Sequence, residues 1–326
     1  MMRHGADRAL YEEMTAAAGS DRGVDSQLGR TMVVEGDLSD SETLCRAMDG
    51  CSIVFHVAGV TLESPGRGKF SWNTKATEWV AGACRSMSPP PTLVFVSSLA
   101  ASGVAEGGSP RRESEPPRPV SEYGHSKLAA EERLRAIAAE VPISIVRPPM
   151  VLGPGDRLGI KMFRAIWMTN IHVTPTWSKR CHAVVAVEDL ATVLVRAGLH
   201  GRRLIPVERW TKDADRGVGI YHMATGLAIE YGELGRMVAR SMGRRWCFVL
   251  RLASPITRLV VSVVETGGAL LRCSVYLNRD KYREITVGSW NCDGTKVAGE
   301  LGFTPVESLV DRIAATTAWY RKHRWF

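Results

Sequence analysis

The stretch TLVFVSS (92–98), followed after an irregular segment by SEYGHSK (121–127), decides how this chain folds. Residues 92–96 are an uninterrupted apolar and β-branched run. Such a run, unlike an alternating one, suits a strand buried on both faces of a parallel sheet. It opens into two small hydroxyl residues, Ser97 and Ser98, and then into a loop over 102–120 rich in Gly, Ser, Pro and charge. Ser121 reads as the N-cap of a helix over 121–140, with Glu122 near its positive end and Pro142 as its stop. Tyr123 and Lys127 lie four apart and therefore share one face of that helix.

The same grammar extends to either side. SIVFHVA (52–58) is a second apolar run ending at Gly59, ISIVR (143–147) is another closed by Pro148-Pro149, and TMVVE (31–35) is a short β-branched run ending at Gly36-Asp37. Between them lie a helix opened by Ser39 or Asp40, with Leu44 and Met48 on one face, and a helix over 73–87 stopped by prolines 89–91. Strand–helix alternation of this kind predicts an α/β fold, a doubly wound parallel sheet with right-handed crossovers. The second half is less regular. It reads as a short strand, AVVAV, leading into a helix from Glu188, a strand over 219–224, and amphipathic helices over 229–243 and 306–322.

Composition excludes several classes. The chain has 326 residues, 45% hydrophobic and 23% charged, which is ordinary for a globular chain with an ample core. Seven cysteines, an odd number without a C-x-x-C or Cys/His cluster, read as reduced and mostly buried thiols, with no metal site. The net charge of +8 is spread over many short arginine groups with no nucleic-acid-binding motif, so it reads as solvated surface plus attraction for an anionic ligand, with no nucleic acid partner. The nearest approach to a membrane span, 252–271, is interrupted by Pro255, Arg258 and Glu265. The first 30 residues are polar and lack a signal-like apolar core, so the expected location is cytoplasmic.

The chemistry concentrates on Ser98, Tyr123 and Lys127. A tyrosine with a pKa of about 10 is a poor acid or base at neutral pH, and a neighbouring ammonium favours its phenolate. Ligands of open α/β sheets sit at the carboxyl ends of strands, where Ser98 lies and where its hydroxyl can bond a carbonyl oxygen. Tyr123 would then pass a proton as hydride moves to or from carbon. By itself Y-x-x-x-K also fits an exposed helix pair; the serine at a strand end, in order before it, raises the reading to a site. His56, in a buried strand, reads as a hydrogen-bonded structural residue; His125 points off the Tyr–Lys face, and His182 and His222 have no partner visible in the sequence.

Several further motifs occur in an order that resembles the extended short-chain dehydrogenase/reductases, the NAD-dependent epimerase/dehydratase family. They are GDLSD (36–40), FHVAG (55–59), NTKAT (73–77), VFVSS (94–98), YGHSK (123–127), RPPMVLGPGD (147–156), VAVEDLA (185–191) and KVAGELGFTP (296–305). The resemblance implies NADP or NAD as cofactor. Asp37 and Leu38 would meet its adenine, and Val57, Ala58 and Gly59 would pass beside it. Ser97, Pro148 and Val151 belong to the cofactor-lining segments, Lys127 would hold the ribose, and Asn73 would support that lysine through water. The implied division is a dinucleotide-binding domain over 1–160, with 182–225 returning partly to it, and a smaller, mainly substrate-binding part over 161–326. The family also forms dimers through helices corresponding to 73–87 and 121–140, so a homodimer is expected.

One departure is large. The family opens with a strand, a Gly-rich turn and a helix whose backbone N–H groups receive the pyrophosphate; this chain shows no such motif, so the sheet is expected to lack its first strand and Gly-rich turn. Three accounts fit: a start upstream of Met1, a natural truncation with impaired cofactor binding, or a partner completing the sheet. Arg3 would face an NADP 2′-phosphate or simply the solvent. Within the family, dehydratases place an Asp-Glu pair after the Ser/Thr, whereas Ser98 is followed by Leu99-Ala100. The apolar segment 246–277, followed by DKYRE (280–284) and WNCD (290–293), resembles the 3β-hydroxysteroid dehydrogenase and dihydroflavonol reductase branch. That branch implies a secondary alcohol or ketone on a hydrophobic small molecule. Helix 252–271 reads as a substrate wall, a core helix, or a surface helix lying on a membrane. The alternative functions are a non-catalytic protein of this fold that has lost cofactor binding and a sugar-nucleotide epimerase.

Overall fold

The central strands set the layers. The computed structural model describes residues 32–62, 70–224, 226, 228–270 and 278–326. The first half runs α1 (Ser41–Met48), β1 (Ile53–His56), α2 (Ser71–Ser86), β2 (Thr92–Val96), α3 (Leu99–Ser102), α4 (Glu122–Ala136), β3 (Ile143–Arg147) and β4 (Met150–Leu152). There follow α5 (Ile160–Thr169), β5 (Ile171–Thr174), β6 (Cys181–His182), β7 (Val184–Ala186), α6 (Val187–His200), β8 (Ile220–His222), β9 (Ile229–Glu230) and α7 (Tyr231–Ser241). The chain continues through β10 (Phe248–Arg251), α8 (Ser254–Leu270), α9 (Arg279–Val287), α10 (Thr295–Leu301) and α11 (Leu309–Lys322).

β1, β2, β3 and β8 form one parallel sheet in that order. Successive strand residues point to opposite faces. β2 accordingly sends Leu93 and Phe95 into a core shared with Leu44, Val80, Cys84 and Leu134, and Val94 and Val96 into one shared with Val193, Ala197, Val297 and Leu301. Helices α1, α2 and α4 cover the first face and α6 and α10 the second, which is the doubly wound arrangement the sequence predicts. Three smaller pairings, β4 with β7, β5 with β10 and β6 with β9, carry the rest.

Local chemistry explains the element ends. The Asp40 carboxylate accepts the Glu42 and Thr43 N–H groups at 3.1 and 3.3 Å and opens α1. Ser121 accepts the Gly124 N–H at 3.0 Å and opens α4. Gly124 permits a close approach: a Cβ there would lie 2.4 Å from the Ala100 carbonyl oxygen.

Some expectations need correction. Residues 32–37 are irregular rather than a strand, with Met32 73% exposed; among the described residues no ladder pairs with them, and an extended run without a neighbour has nothing to hold it. The 52–58 run is a strand only over 53–56, and Phe55 is 40% exposed, because β1 has a described neighbour on one edge alone. α4 ends at Ala136, a turn earlier than its proline stop implies. The six described cysteines are free, but only Cys84 and Cys292 of them are buried, and Cys51 is exposed. Arg3 and Cys273 lie outside the described residues.

A charged knot sits under the strand ends. The Glu131 carboxylate on α4 accepts Arg147 Nε at 2.9 Å and the Ser97 hydroxyl at 2.5 Å, and both members of the ion pair are almost fully buried. Arg147 Nη1 donates to Ser102 Oγ at 2.7 Å, and that hydroxyl lies 2.7 Å from His222 Nε2. His222 Nδ1 lies 3.1 Å from the Arg111 carbonyl oxygen, so it carries the proton and Nε2 accepts from Ser102. Burial holds the His222 imidazole well below its usual pKa and therefore neutral. The partners missing from the sequence are thus supplied by residues about 100 positions away. Glu131→Gln leaves Arg147 buried without a counter-charge and should destabilise the fold by about 3–5 kcal/mol, read as a lowered denaturation midpoint.

Candidate active site

β2 stops at Val96 because the next two residues turn away from the sheet. Ser98 caps α3, accepting the Ala100 N–H at 3.1 Å. α4 lies beside it and brings Tyr123 into the same cleft wall as Ser98. Burial pushes the Tyr123 hydroxyl up to about 12; the Ser98 bond and Lys281 pull against this, while the Glu284 charge adds to it.

Lys127, one turn further on, is almost fully buried. Its ammonium donates to the Val96 carbonyl oxygen at 3.0 Å and lies 5.0 Å from the centre of the Phe95 ring. Burial lowers its pKa to about 8, partly opposed by the Glu131 carboxylate four residues on. The expectation that Lys127 draws the phenol down is not met here. Its ammonium is directed at the backbone, and burial dominates the tyrosine.

Asn73 is buried on α2 and clasps the backbone beyond β1. Its Oδ1 accepts the Val60 N–H at 2.6 Å, and its Nδ2 donates to the Val60 carbonyl at 3.0 Å and to Ser126 Oγ at 2.9 Å. A Cβ on Gly59 would stand 3.0 Å from Lys127 Nζ and 3.2 Å from Asn73 Oδ1. The β1 loop, Asn73 and Lys127 therefore converge where any side chain at position 59 would crowd the lysine and the asparagine.

These groups open onto a cleft of about 850 Å³. Val57, Gly59, Ser97, Ser98 and Pro148, from the carboxyl ends of β1, β2 and β3, and Val151 on β4 form one end of it with Tyr123 and Lys127. The other end is mostly apolar: Met162, Val173, Pro175, Leu252 and Val260, with His172, His182 and Tyr231 among its walls. Burial brings both histidines down to about 4 and keeps them neutral.

The remaining sequence-selected residues fall elsewhere. Ala58 is exposed and does not line the cleft. Asp37 is engaged in a turn, accepting the Ser39 N–H and hydroxyl at 2.9 and 2.8 Å, and Leu38 packs on the first core. His56 has the structural role expected, 3.1 Å from Thr77 Oγ1, and His125 is exposed. The sequence reading missed His182 as a cleft residue and α9 as part of the rim. The Asp280 carboxylate on α9 accepts the N–H groups of Glu122 and Tyr123 at 2.6 and 3.3 Å, pinning the start of α4. The signal was present in DKYRE, but nothing in it says which helix it meets. Among the described residues no three His, Cys, Asp or Glu side chains gather as metal ligands.

Comparison with known proteins points the same way. A family model described as the NAD dependent epimerase/dehydratase family matches residues 3–207. The ceramide reductase of Caulobacter vibrioides is 27% identical over 296 residues, covering 90% of this chain and 81% of that protein. The 2-alkyl-3-oxoalkanoate reductase of Shewanella oneidensis is 35% identical over 140 residues, 40% of this chain and 36% of that protein. In fold, the chain is similar to a dTDP-glucose 4,6-dehydratase from Streptomyces venezuelae, with a TM-score of 0.68 and 22% identity over 97% of this chain and 85% of the other.

Because Asp280 caps the helix that carries the tyrosine, Asp280→Ala should cost about 1 kcal/mol of stability in a denaturant titration, the scale of a lost N-terminal cap.

Proposed function

The chain belongs to the NAD dependent epimerase/dehydratase family, and we propose that within it this protein interconverts a ketone and a secondary alcohol on a hydrophobic, lipid-like small molecule, with NADP or NAD as cofactor. The observation that carries the reading is that Ser98, Tyr123 and Lys127 line one cleft together with strand-end residues and a largely apolar wall. The relatives named as reductases of a ceramide and of an alkyl oxoalkanoate support an apolar ketone. The apolar far wall and Leu99-Ala100 after Ser98 weigh against sugar-nucleotide epimerisation and dehydration.

The residues present fit a dinucleotide. Gly59 lines the cleft beside Lys127 with no side chain to narrow it. Val57, Gly59, Ser97, Pro148 and Val151 would line the cofactor and Lys127 would hold its ribose. We assign residues 1–160, with 182–225, to that half, in keeping with the pairing of β3 with β8 and β4 with β7. When bound, the nicotinamide supplies or accepts the hydride. Ser98 orients the carbonyl oxygen by hydrogen bonding, and Tyr123, protonated at neutral pH, gives its hydroxyl proton to that oxygen as the carbonyl carbon is reduced. Lys281 is the positive charge acting on the phenol, and Asn73 fixes the loop against which Lys127 rests.

Tyr123→Phe should lower turnover between about a hundredfold and ten-thousandfold, while a fluorescence titration with NADPH stays near wild type; undiminished turnover sinks the role. A second test uses pH. The Lys127 pKa is lowered to about 8, so its charge is present below that value and lost above it. Cofactor kcat/KM should therefore fall as pH rises through about 8, and Lys127→Met should remove that inflection.

A further inference from the structure

The α8 helix has two unlike sides. Thr257 and Val261 are 2% and 1% exposed, and the Thr257 hydroxyl donates to the Pro175 carbonyl oxygen at 2.9 Å, holding the helix to the segment after β5. On the other side Ile256, Leu259, Val260 and Val263, spaced as one helical face, are 40–65% exposed. With 17 residues, α8 is not long and apolar enough to cross a membrane. A helix of this kind has the build of one that lies in an interface rather than through it.

Three observations say what the face meets. It continues into the substrate end of the cleft: Val260 on α8 and Val173 on β5 are both exposed and both line it. On the paired β5–β10 ladder, Val173 stands beside Leu250, and Phe248 shares their exposed side. The surroundings are basic, with seven arginines and lysines against three acids among the described residues of 244–284 and Arg258 exposed on α8 itself. A symmetric contact between two copies would place this positive surface against itself. An anionic lipid surface is attracted instead.

We infer that α8 and the adjoining β5–β10 edge dock the protein onto an anionic lipid bilayer, so that the cleft mouth opens where a membrane-dissolved ketone or alcohol resides. The inference rests on the proposed function for its substrate, and on charge and apolar exposure for its surface. Docking removes the exposed apolar face from water, while the basic residues remain at headgroup level. A hydrophobic substrate then reaches Ser98 and Tyr123 without first entering bulk water.

The test sediments the full chain, with NADPH, together with vesicles of phosphatidylcholine alone or containing about one-third phosphatidylserine. The expected result is binding to the anionic vesicles, weakened by salt. The variant Leu259→Glu/Val263→Glu should bind about tenfold less, retain NADPH binding and reduction of a short water-soluble ketone, and lose turnover of a long-chain ketone carried in vesicles. Arg258→Glu changes only an exposed charge and should also weaken vesicle binding, which covers the case in which the double variant fails to fold. Absence of wild-type binding, equal binding by the variants, or a dimer that the double variant converts to monomer overturns the inference, the last because the face would then be a contact between copies. Vesicle binding without turnover of any ketone overturns the proposed reaction and supports the docking surface.

Discussion

The structure depends on the buried pair of Glu131 and Arg147. Two charges out of water carry a desolvation cost that their mutual attraction offsets only when the remaining polar atoms are also satisfied. Here they are. Ser97 donates to the carboxylate, and the guanidinium reaches Ser102, which in turn bonds a neutral His222. The knot ties α4 to β3, to the end of β2 and to β8 at one point. Tyr123 and Lys127 precede Glu131 on the same helix, so fixing its middle by charge fixes where both side chains emerge.

The front of α4 is held by different means. Ser121 and Asp280 satisfy its first N–H groups, and Gly124 lets it lie against the Ala100 carbonyl. A helix restrained at its start and its middle presents the tyrosine to Ser98 with little freedom, and hydrogen-bonding distances tolerate little displacement. The polar rim on α9 therefore acts on the site through position as well as charge: Asp280 holds the helix, while Lys281 and Glu284 set opposing fields on the phenol.

How much of this was legible in the sequence follows from the range of each interaction. β2 and β3 match their sequence boundaries because both faces are buried and the apolar run records that directly. The Tyr123–Lys127 relation is a local one, four residues on a helix. Glu131 and Arg147, by contrast, look like any surface charges until 16 positions and a crossover bring them together. His222 gains partners from residues 102 and 111, and Asp280 acts 157 residues from Tyr123. The 252–271 run reads alike for a core helix and for one with an apolar face outside, since the pattern records the face and not what covers it. Residues 32–35 fail as a strand for a similar reason: β propensity describes a side chain on a pleated sheet, and a ladder needs a second strand, which none of the described residues supplies.

The local electrostatics also favour one direction of the proposed chemistry. Burial moves Tyr123 up to about 12 and Lys127 down to about 8, in each case toward the neutral form. At neutral pH the phenol still holds its proton and the lysine still holds most of its charge. A protonated phenol is ready to donate to the oxygen of a carbonyl being reduced, because the alkoxide forming there is a far stronger base than phenolate. Alcohol oxidation starts from phenolate, and reaching that state in a buried site requires positive charge close by. Lys127 is directed at the Val96 carbonyl rather than at the phenol, so the resting arrangement suits a proton donor better than a base. This asymmetry follows from enclosure of the phenol and favours the reductive direction of the proposed reaction.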